Sequence, residues 1–438
     1  MEEVTNLNQA VPTIDDDVRI VLRRLDQPIT YFGEGPLERR QRLIEFLSND
    51  KESMERFLSS RAKVRGVKFT SPEPEEQKDE EFYTPGKDSL FDVRVQIADY
   101  SLRKAQSRLE KQRRRYERFD MIAELKSRRS YYTNLMKMEI QGSQIISNRF
   151  TSTLKFSNSS ALIAAGSWDG SCYVLDSQTL DIAQTFTDLN GGKISTLDWM
   201  PRSDQIIAIG GSDGGITLID RSTAHGQKYS KFSGHTNRVT SLQFLPMGSF
   251  LASASYDMTW RLWDVETQKV LYYQEGHSKE LTSLSCHPDG SLLATAGLDA
   301  IIRVWDMRTG KSIAILETNG HIRGIHALAW RPNGYQLISG GADNNLKVWD
   351  LRRSDLMATN TVLAHSKVIT DIKVSADDKY ITSCSYDGYL DLIASDSFSV
   401  IRKHKNVDKL MCCDISADSG TIITGGWDRS VKLYHTEL

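Results

Sequence analysis

The sequence predicts a mainly β fold, a seven-bladed β-propeller behind an α-helical N-terminal extension, and three observations predict it. A segment of about ten residues recurs seven times, its copies lie 41 to 44 residues apart, and a stretch free of glycine and proline, Asp88 to Ile140, precedes the first copy. The clearest copies are Gly166 to Asp176 (GSWDGSCYVLD), Ser255 to Asp264 (SYDMTWRLWD), Gly297 to Asp306 (GLDAIIRVWD) and Gly341 to Asp350 (GADNNLKVWD). Weaker copies run from Gly211 to Asp220, Ser385 to Ala394 and Gly426 to His435. Each sets a turn aspartate before an alternating strand, and the turn aspartates are Asp169, Asp213, Asp257, Asp299, Asp343, Asp387 and Asp428. That period suits a four-stranded blade, so seven copies predict seven blades.

The parts before the propeller follow from composition. Residues 13–61 read as a small helical module. Asp15, Asp16 and Asp17 favour the positive end of a helix carrying Val18, Val21, Leu22 and Leu25, and Pro28 with Gly33 to Pro36 breaks it. A second helix resumes over Arg39 to Leu58 with Leu43, Phe46 and Leu47 on one face. A core this small is marginal alone, which implies a partner surface. Residues 64–85 contain the acidic, proline-bearing run Ser71 to Glu81 and read as a linker. Residues 86–141 read as one long basic helix of roughly 80 Å, opened by Asp88 or Ser89 and closed by Gly142.

The propeller is expected over residues 142–438. The last copy reaches only its blade's third strand, so closure predicts that the extended segment Gln144 to Arg149 supplies the fourth and leaves no open edge. His235, His277, His321 and His365 each lie 22 residues before a turn aspartate, and His404 lies 24 before Asp428. With these histidines the copies resemble WD repeats. That resemblance implies a structural network joining histidine, aspartate, a strand hydroxyl and, where present, Trp263, Trp305 or Trp349. A constellation repeated blade after blade is packing, whereas a catalytic triad needs one distorted nucleophile and an oxyanion hole.

Composition excludes several function classes. The formal charge of -2 gives no overall pull toward nucleic acid or membrane, so a charge signal must be local. An apolar leader and an 18-residue apolar run are both lacking, so neither secretion nor membrane insertion is expected. Cys172, Cys286, Cys384, Cys412 and Cys413 lack paired spacing and read as core residues rather than disulfides or zinc ligands. No cofactor and no small-molecule substrate are expected. The glycine-rich Gly210 to Gly215 lacks the Gly-Lys-Ser/Thr ending of a phosphate loop.

Two local charge patterns stand out. Just before the first strand of each blade sits a cation: Arg149, Lys193, Arg238, Lys279, Arg323, Lys367 and Lys409. A closed ring of cations suits phosphate or acidic peptide, with Trp168, Tyr256, Tyr386 and Trp427 as apolar anchors; exposed turns rich in Lys and Arg need no partner to explain them. The second pattern is Arg103, Lys104, Arg108, Lys111, Arg113, Arg114 and Arg115 against the single acid Glu110. These residues suit an RNA backbone or an acidic protein surface, or form a solvated face that doubles as an import patch. Base-specific readout is not expected, because no aromatic RNA-binding motif accompanies them.

The phrase Leu25 to Glu34 (LDQPITYFGE), running on to Glu38 to Leu43 (ERRQRL), resembles the splicing factor motif, with Pro28, Phe32, Gly33, Glu34, Arg39 and Arg40 at its centre. Joined to a basic helix and seven WD repeats, it resembles the pre-mRNA-processing factor four family of the U4/U6 small nuclear ribonucleoprotein. The resemblance implies a nuclear, non-enzymatic scaffold of the U4/U6 and U4/U6.U5 tri-snRNP. Its partners would be pre-mRNA-processing factor three, other tri-snRNP proteins, and U4 and U6 snRNA, touched directly or through proteins. The alternative is a substrate receptor of a cullin ubiquitin ligase, suggested by WDxR endings at Trp305 to Arg308 and Trp349 to Arg352. A G-protein β-like helix is disfavoured, since Arg103 to Arg115 holds only Ala105 and Leu109 as apolar seam residues.

Overall fold

The computed structural model describes residues 11–12, 15–25, 27–28, 34–49, 89–187, 189, 192–222 and 228–436. The chain forms two compact units, Met1–Glu81 and Phe82–Leu438. In the first, helices α1 (Asp15–Arg24) and α2 (Pro36–Asn49) bury Val18 and Leu22 against Leu43 and Leu47, with Val11 alongside. The apolar periodicity of both helices is thus spent on each other. The rest of the expected module, 50–61, and the linker at 64–85 lie outside the described residues.

The second unit contains seven four-stranded antiparallel sheets. Six are built from consecutive strands, beginning with β2 (Thr151–Phe156), β6 (Ile194–Trp199), β10 (Val239–Phe244), β14 (Leu281–Cys286), β18 (Ile325–Trp330) and β22 (Ile369–Val374). These are blades 1 to 6. The seventh starts at β26 (Leu410–Ile415) and is completed by β1 (Glu139–Ile145), which pairs with β28 (Ser430–His435). Closure therefore joins the two ends of the domain, but the strand is not the expected Gln144 to Arg149. It begins five residues earlier because the preceding helix stops at Leu135 and the chain then buries Met138 against blades 6 and 7 before entering the sheet. Gly142 sits at a β-bulge in this strand rather than capping a helix. Beyond Ile145 the chain leaves the sheet to bury Ile146 between blades 7 and 1.

Each pair of neighbouring blades encloses its own apolar cluster, seven around the ring. Every first strand also carries a bulge at its second residue. In four blades that residue is a hydroxyl tying two blades together. Thr240, for example, donates to Ala254 O at 3.1 Å in its own blade and to Leu281 O at 2.9 Å in the next. Ser152, Thr282 and Thr370 do the same, so the bulged backbone is satisfied across the seam.

The expected single basic helix is two helices, α3 (Ser89–Glu117) and α4 (Met121–Leu135). Absence of glycine and proline did not keep the helix whole. Asp120 adopts an extended conformation, and its carboxylate accepts from Ile122 N at 2.9 Å and Ala123 N at 3.4 Å, which starts a new helix. The arm thus bends over one face of the propeller. Leu90, Val93 and Ile97 of α3 enlarge the cluster between blades 3 and 4, while Tyr131 and Leu135 of α4 enlarge the one between blades 6 and 7. No helix among the described residues is long and apolar enough to cross a membrane.

Candidate functional site

The histidine network forms in four blades. His235 meets Asp257 through Nδ1 at 2.7 Å and Ser253 Oγ through Nε2 at 2.7 Å, and Trp263 donates to the same hydroxyl. His277 and His321 repeat this geometry with Asp299 and Asp343 and with Trp305 and Trp349, while His365 meets Asp387 and Ser383 with no tryptophan. Burial alone would raise Asp257, but the hydrogen bond and charge of His235 outweigh it and hold the carboxyl well below the usual range. Every hydroxyl is occupied, so no nucleophile is set apart.

Blade 7 departs from the expectation that His404 meets Asp428. Asn406, not His404, is 22 residues before Asp428, and it takes the histidine's place, accepting from Lys432 Nζ at 2.9 Å and Tyr434 OH at 3.1 Å. His404 is left with Nε2 buried and unpartnered, and burial followed by nearby Arg402 lowers it to about 4. Asp428 pairs instead with Lys432.

The seven cations preceding the first strands share one face of the ring, and they divide into two groups. Lys193 lies 4.4 Å from the Trp168 ring centroid, Lys409 4.5 Å from that of Trp427, and Arg238 spans Trp168 and Tyr256 at 5.4 and 5.9 Å. Phe150 links the two tryptophans, stacking nearly parallel on Trp427 at 5.2 Å and against Trp168 at 4.2 Å. Arg149, Lys279, Arg323 and Lys367 are exposed around the rest of the ring. Sequence reasoning had Trp168 and Trp427 but missed Phe150; its position beside Arg149 at the entry to blade 1 was the available signal. The arrangement is a cationic rim with an aromatic arc over blades 6, 7, 1 and 3, able to stack planar groups and hold anions.

The opposite face carries the arm, and there the seven basic candidates do not act as one patch. Arg108 is turned inward. It grips the buried Asp289 carboxylate at 2.7 Å and donates to Asn333 O at 2.7 Å, pinning α3 to blades 4 and 5. Arg103, Arg113 and Arg115 make exposed pairs with Asp99, Glu117 and Glu124, and Lys104, Lys111 and Arg114 are exposed. Such exposed pairs open at little cost, whereas the Arg108 contact does not. On α4, Tyr132 donates to Asp396 at 3.0 Å; burial and that carboxylate push its hydroxyl up to about 12. A cavity of about 810 Å³ lies beneath the bend, walled by Lys104, Lys111, Arg115, Tyr116, Phe119 and Tyr335 among others.

In the helical module, Arg39 is only 4 % exposed and pairs with Asp15, while Glu34 takes Arg42 at 2.6 Å and Arg40 donates to Pro12 O at 3.1 Å. These charges hold the two helices and their connection together. Pro28 accepts from Arg42 at 3.1 Å, and Phe32 and Gly33 lie outside the described residues. The WDxR arginines fold back, Arg308 on Asp306 at 3.0 Å and Arg352 on Asp350 at 2.7 Å with its guanidinium over Tyr335. All five cysteines are free and buried. No group of His, Cys, Asp or Glu able to hold a metal is found among the described residues. Lys155 pairs with Asp198 and Lys373 with Asp371.

Comparison with known proteins agrees with this construction. Residues 145–176, 226–264, 268–306, 310–350, 358–392 and 396–435 match the family described as WD domain, G-beta repeat, and the first three strands of blade 2 fall outside those spans. Residues 18–45 match the family described as pre-mRNA processing factor 4 (PRP4) like. The U4/U6 small nuclear ribonucleoprotein PRP4 of Saccharomyces cerevisiae is 42% identical over 99% of this chain and 93% of its own length. A PRP4-like protein of Arabidopsis thaliana is 33% identical over 59% of this chain and 38% of its own, and Prp4 of Homo sapiens 33% over 37% and 30%. With a full-length relative at that identity, and the PRP4-like segment set before a seven-bladed WD propeller, the chain belongs to the U4/U6 small nuclear ribonucleoprotein PRP4 family.

Proposed function

We propose that the chain is a nuclear, non-enzymatic scaffold subunit of the U4/U6 and U4/U6.U5 particles in pre-mRNA splicing. In this reading it holds pre-mRNA-processing factor three and other tri-snRNP proteins and lies against U4 and U6 RNA. The observation that carries the reading is the end-to-end likeness to the yeast U4/U6 protein, with the PRP4-like segment at 18–45. The division of the basic arm supports it further. Arg108 fixes α3 to the propeller, which leaves Arg113, Arg114 and Arg115 at a bend presented to solvent. Arginines so held position a phosphate backbone without reading its bases.

The test is to purify the tagged chain from nuclear extract over a series of salt concentrations and measure the small nuclear RNAs that accompany it. Recovery of U4 and U6 together is expected. Charge reversal at Arg113, Arg114 and Arg115 weakens that recovery and lowers its salt dependence, because fewer counterions are released. Recovery of cullin-ligase subunits without those RNAs would overturn the reading, and unchanged recovery in the variant would remove the arm from it.

A further inference from the structure

Helix α3 has two apolar faces, and only one is covered. Leu90, Val93, Ile97 and Ser101 are spaced three and four apart and buried on the propeller. Along one flank, about a third of a turn around the helix from that face, Val95, Leu102, Leu109 and Tyr116 are spaced strictly seven apart and are 49%, 59%, 56% and 73% exposed, with Phe91 four residues before them at 73%. Ala98 and Ala105 fill the intervening positions three residues on. A seven-residue repeat of this kind is the seam of a coiled coil, which an α-helix fills and a strand does not. The expectation that no seam exists came from reading 103–115 alone, which excludes Leu102 and Tyr116 at either end. The Arg108 to Asp289 contact prevents α3 from rolling this stripe onto the propeller.

We propose that this stripe docks an acidic amphipathic helix of a partner protein, running along about three heptads of α3; the proposal rests on the scaffold reading above. Charge selects the partner. Helix α3 carries Asp92, Asp99, Glu110 and Glu117 against eight Lys and Arg, three of them consecutive at Arg113 to Arg115. Consecutive residues step 100° around a helix, so these arginines surround the end of the stripe whichever side a partner lies on. A second copy of α3 would add another net positive helix, whereas carboxylates flanking an apolar seam compensate the excess. An RNA strand would leave the apolar stripe wet.

The test replaces Leu102, Leu109 and Tyr116, one at a time, with a photo-crosslinking amino acid in the full-length chain in cells. The cross-linked peptides are identified, and U4 and U6 are measured in the same purification. The result expected is that all three positions link to one segment of one other protein, at residues spaced seven apart and flanked by Asp or Glu. A double Leu102→Glu, Leu109→Glu variant then retains at most a tenth of that protein, with unfolding temperature unchanged because both side chains face solvent. Links to a second copy, to RNA, to scattered segments or to nothing would overturn the proposal. If the single acidic segment is found but U4 and U6 are missing, the helix site stands and the splicing reading falls. If U4 and U6 are present without the segment, the reverse holds.

Discussion

Blades 3 to 6 and blades 7, 1 and 2 share one backbone plan, yet they hold their rims in different ways. The first group spends its rim polarity on the histidine network, four times over and within 3.1 Å at every His to Asp contact. In the second group Asn406 and Ser147 stand in the histidine's register, and the rim is held by Phe150, stacked on Trp427 and packed against Trp168. A buried network fixes each blade but occupies the groups that form it. Every blade presents a cation at the rim, and blades 7 and 1 add to these the stacked aromatic surface of Phe150, Trp168 and Trp427.

The sharpest way to break that comparison is to remove equivalent turn aspartates from the two groups. Asp299→Ala leaves His277 buried with Nδ1 unpaired and loses the cap on Ile301 N; a loss of about 3 kcal/mol is expected. Asp213→Ala in blade 2 removes an exposed carboxylate that caps Gly215 N at 3.0 Å, and under about 1 kcal/mol is expected. Urea midpoints of the two variants measure the difference. Equal losses would mean that the network adds nothing beyond the turn.

How much of this was legible depended on whether the signal repeats. Seven copies of one segment identified the propeller and the joining of its two ends, though not the strand Glu139–Ile145 that joins them, and the histidine spacing of 22 identified the four networks. The spacing of 24 at His404 was legible as an irregularity, but only the structure shows Asn406 in its place. The bend at Asp120 was missed because helix continuity was judged from glycine and proline, and an aspartate that caps a new helix announces itself only weakly in sequence. Similarly, the seven basic residues of the arm looked alike until Asp289, 181 residues away, took one of them.

Blades 3 to 7 also carry the arm, on the face opposite the cations, and its anchor on the regular blades offers a second and smaller test. Arg108→Ala strands the Asp289 carboxylate, itself only 3% exposed, and is expected to cost about 2 kcal/mol. The loss is local, so hydrogen exchange should quicken along the second half of α3 while the blades keep their protection. Arg113→Ala, which gives up only an exposed pair with Glu117, should leave both stability and exchange within about 0.5 kcal/mol of the parent. If both variants behave alike, Arg108 does not anchor the arm.

The smallest effect expected comes from the one histidine that the irregular group strands. His404 is buried beside Tyr434, and burial followed by Arg402 lowers it to about 4 from its ordinary 6.5. The folded chain keeps this imidazole neutral through a range in which the unfolded chain protonates it. Stability it contributes is therefore present above pH 6.5 and is lost as pH falls from there toward 4. His404→Gln cannot titrate, so its urea midpoint should decline less than the parent's between pH 7 and pH 4.5. His235, His287 and His326, also lowered by burial, remain in both proteins and cancel from the comparison. Parallel declines would mean that His404 reaches solvent before global unfolding, through local opening of the outer strand of blade 6 that holds it.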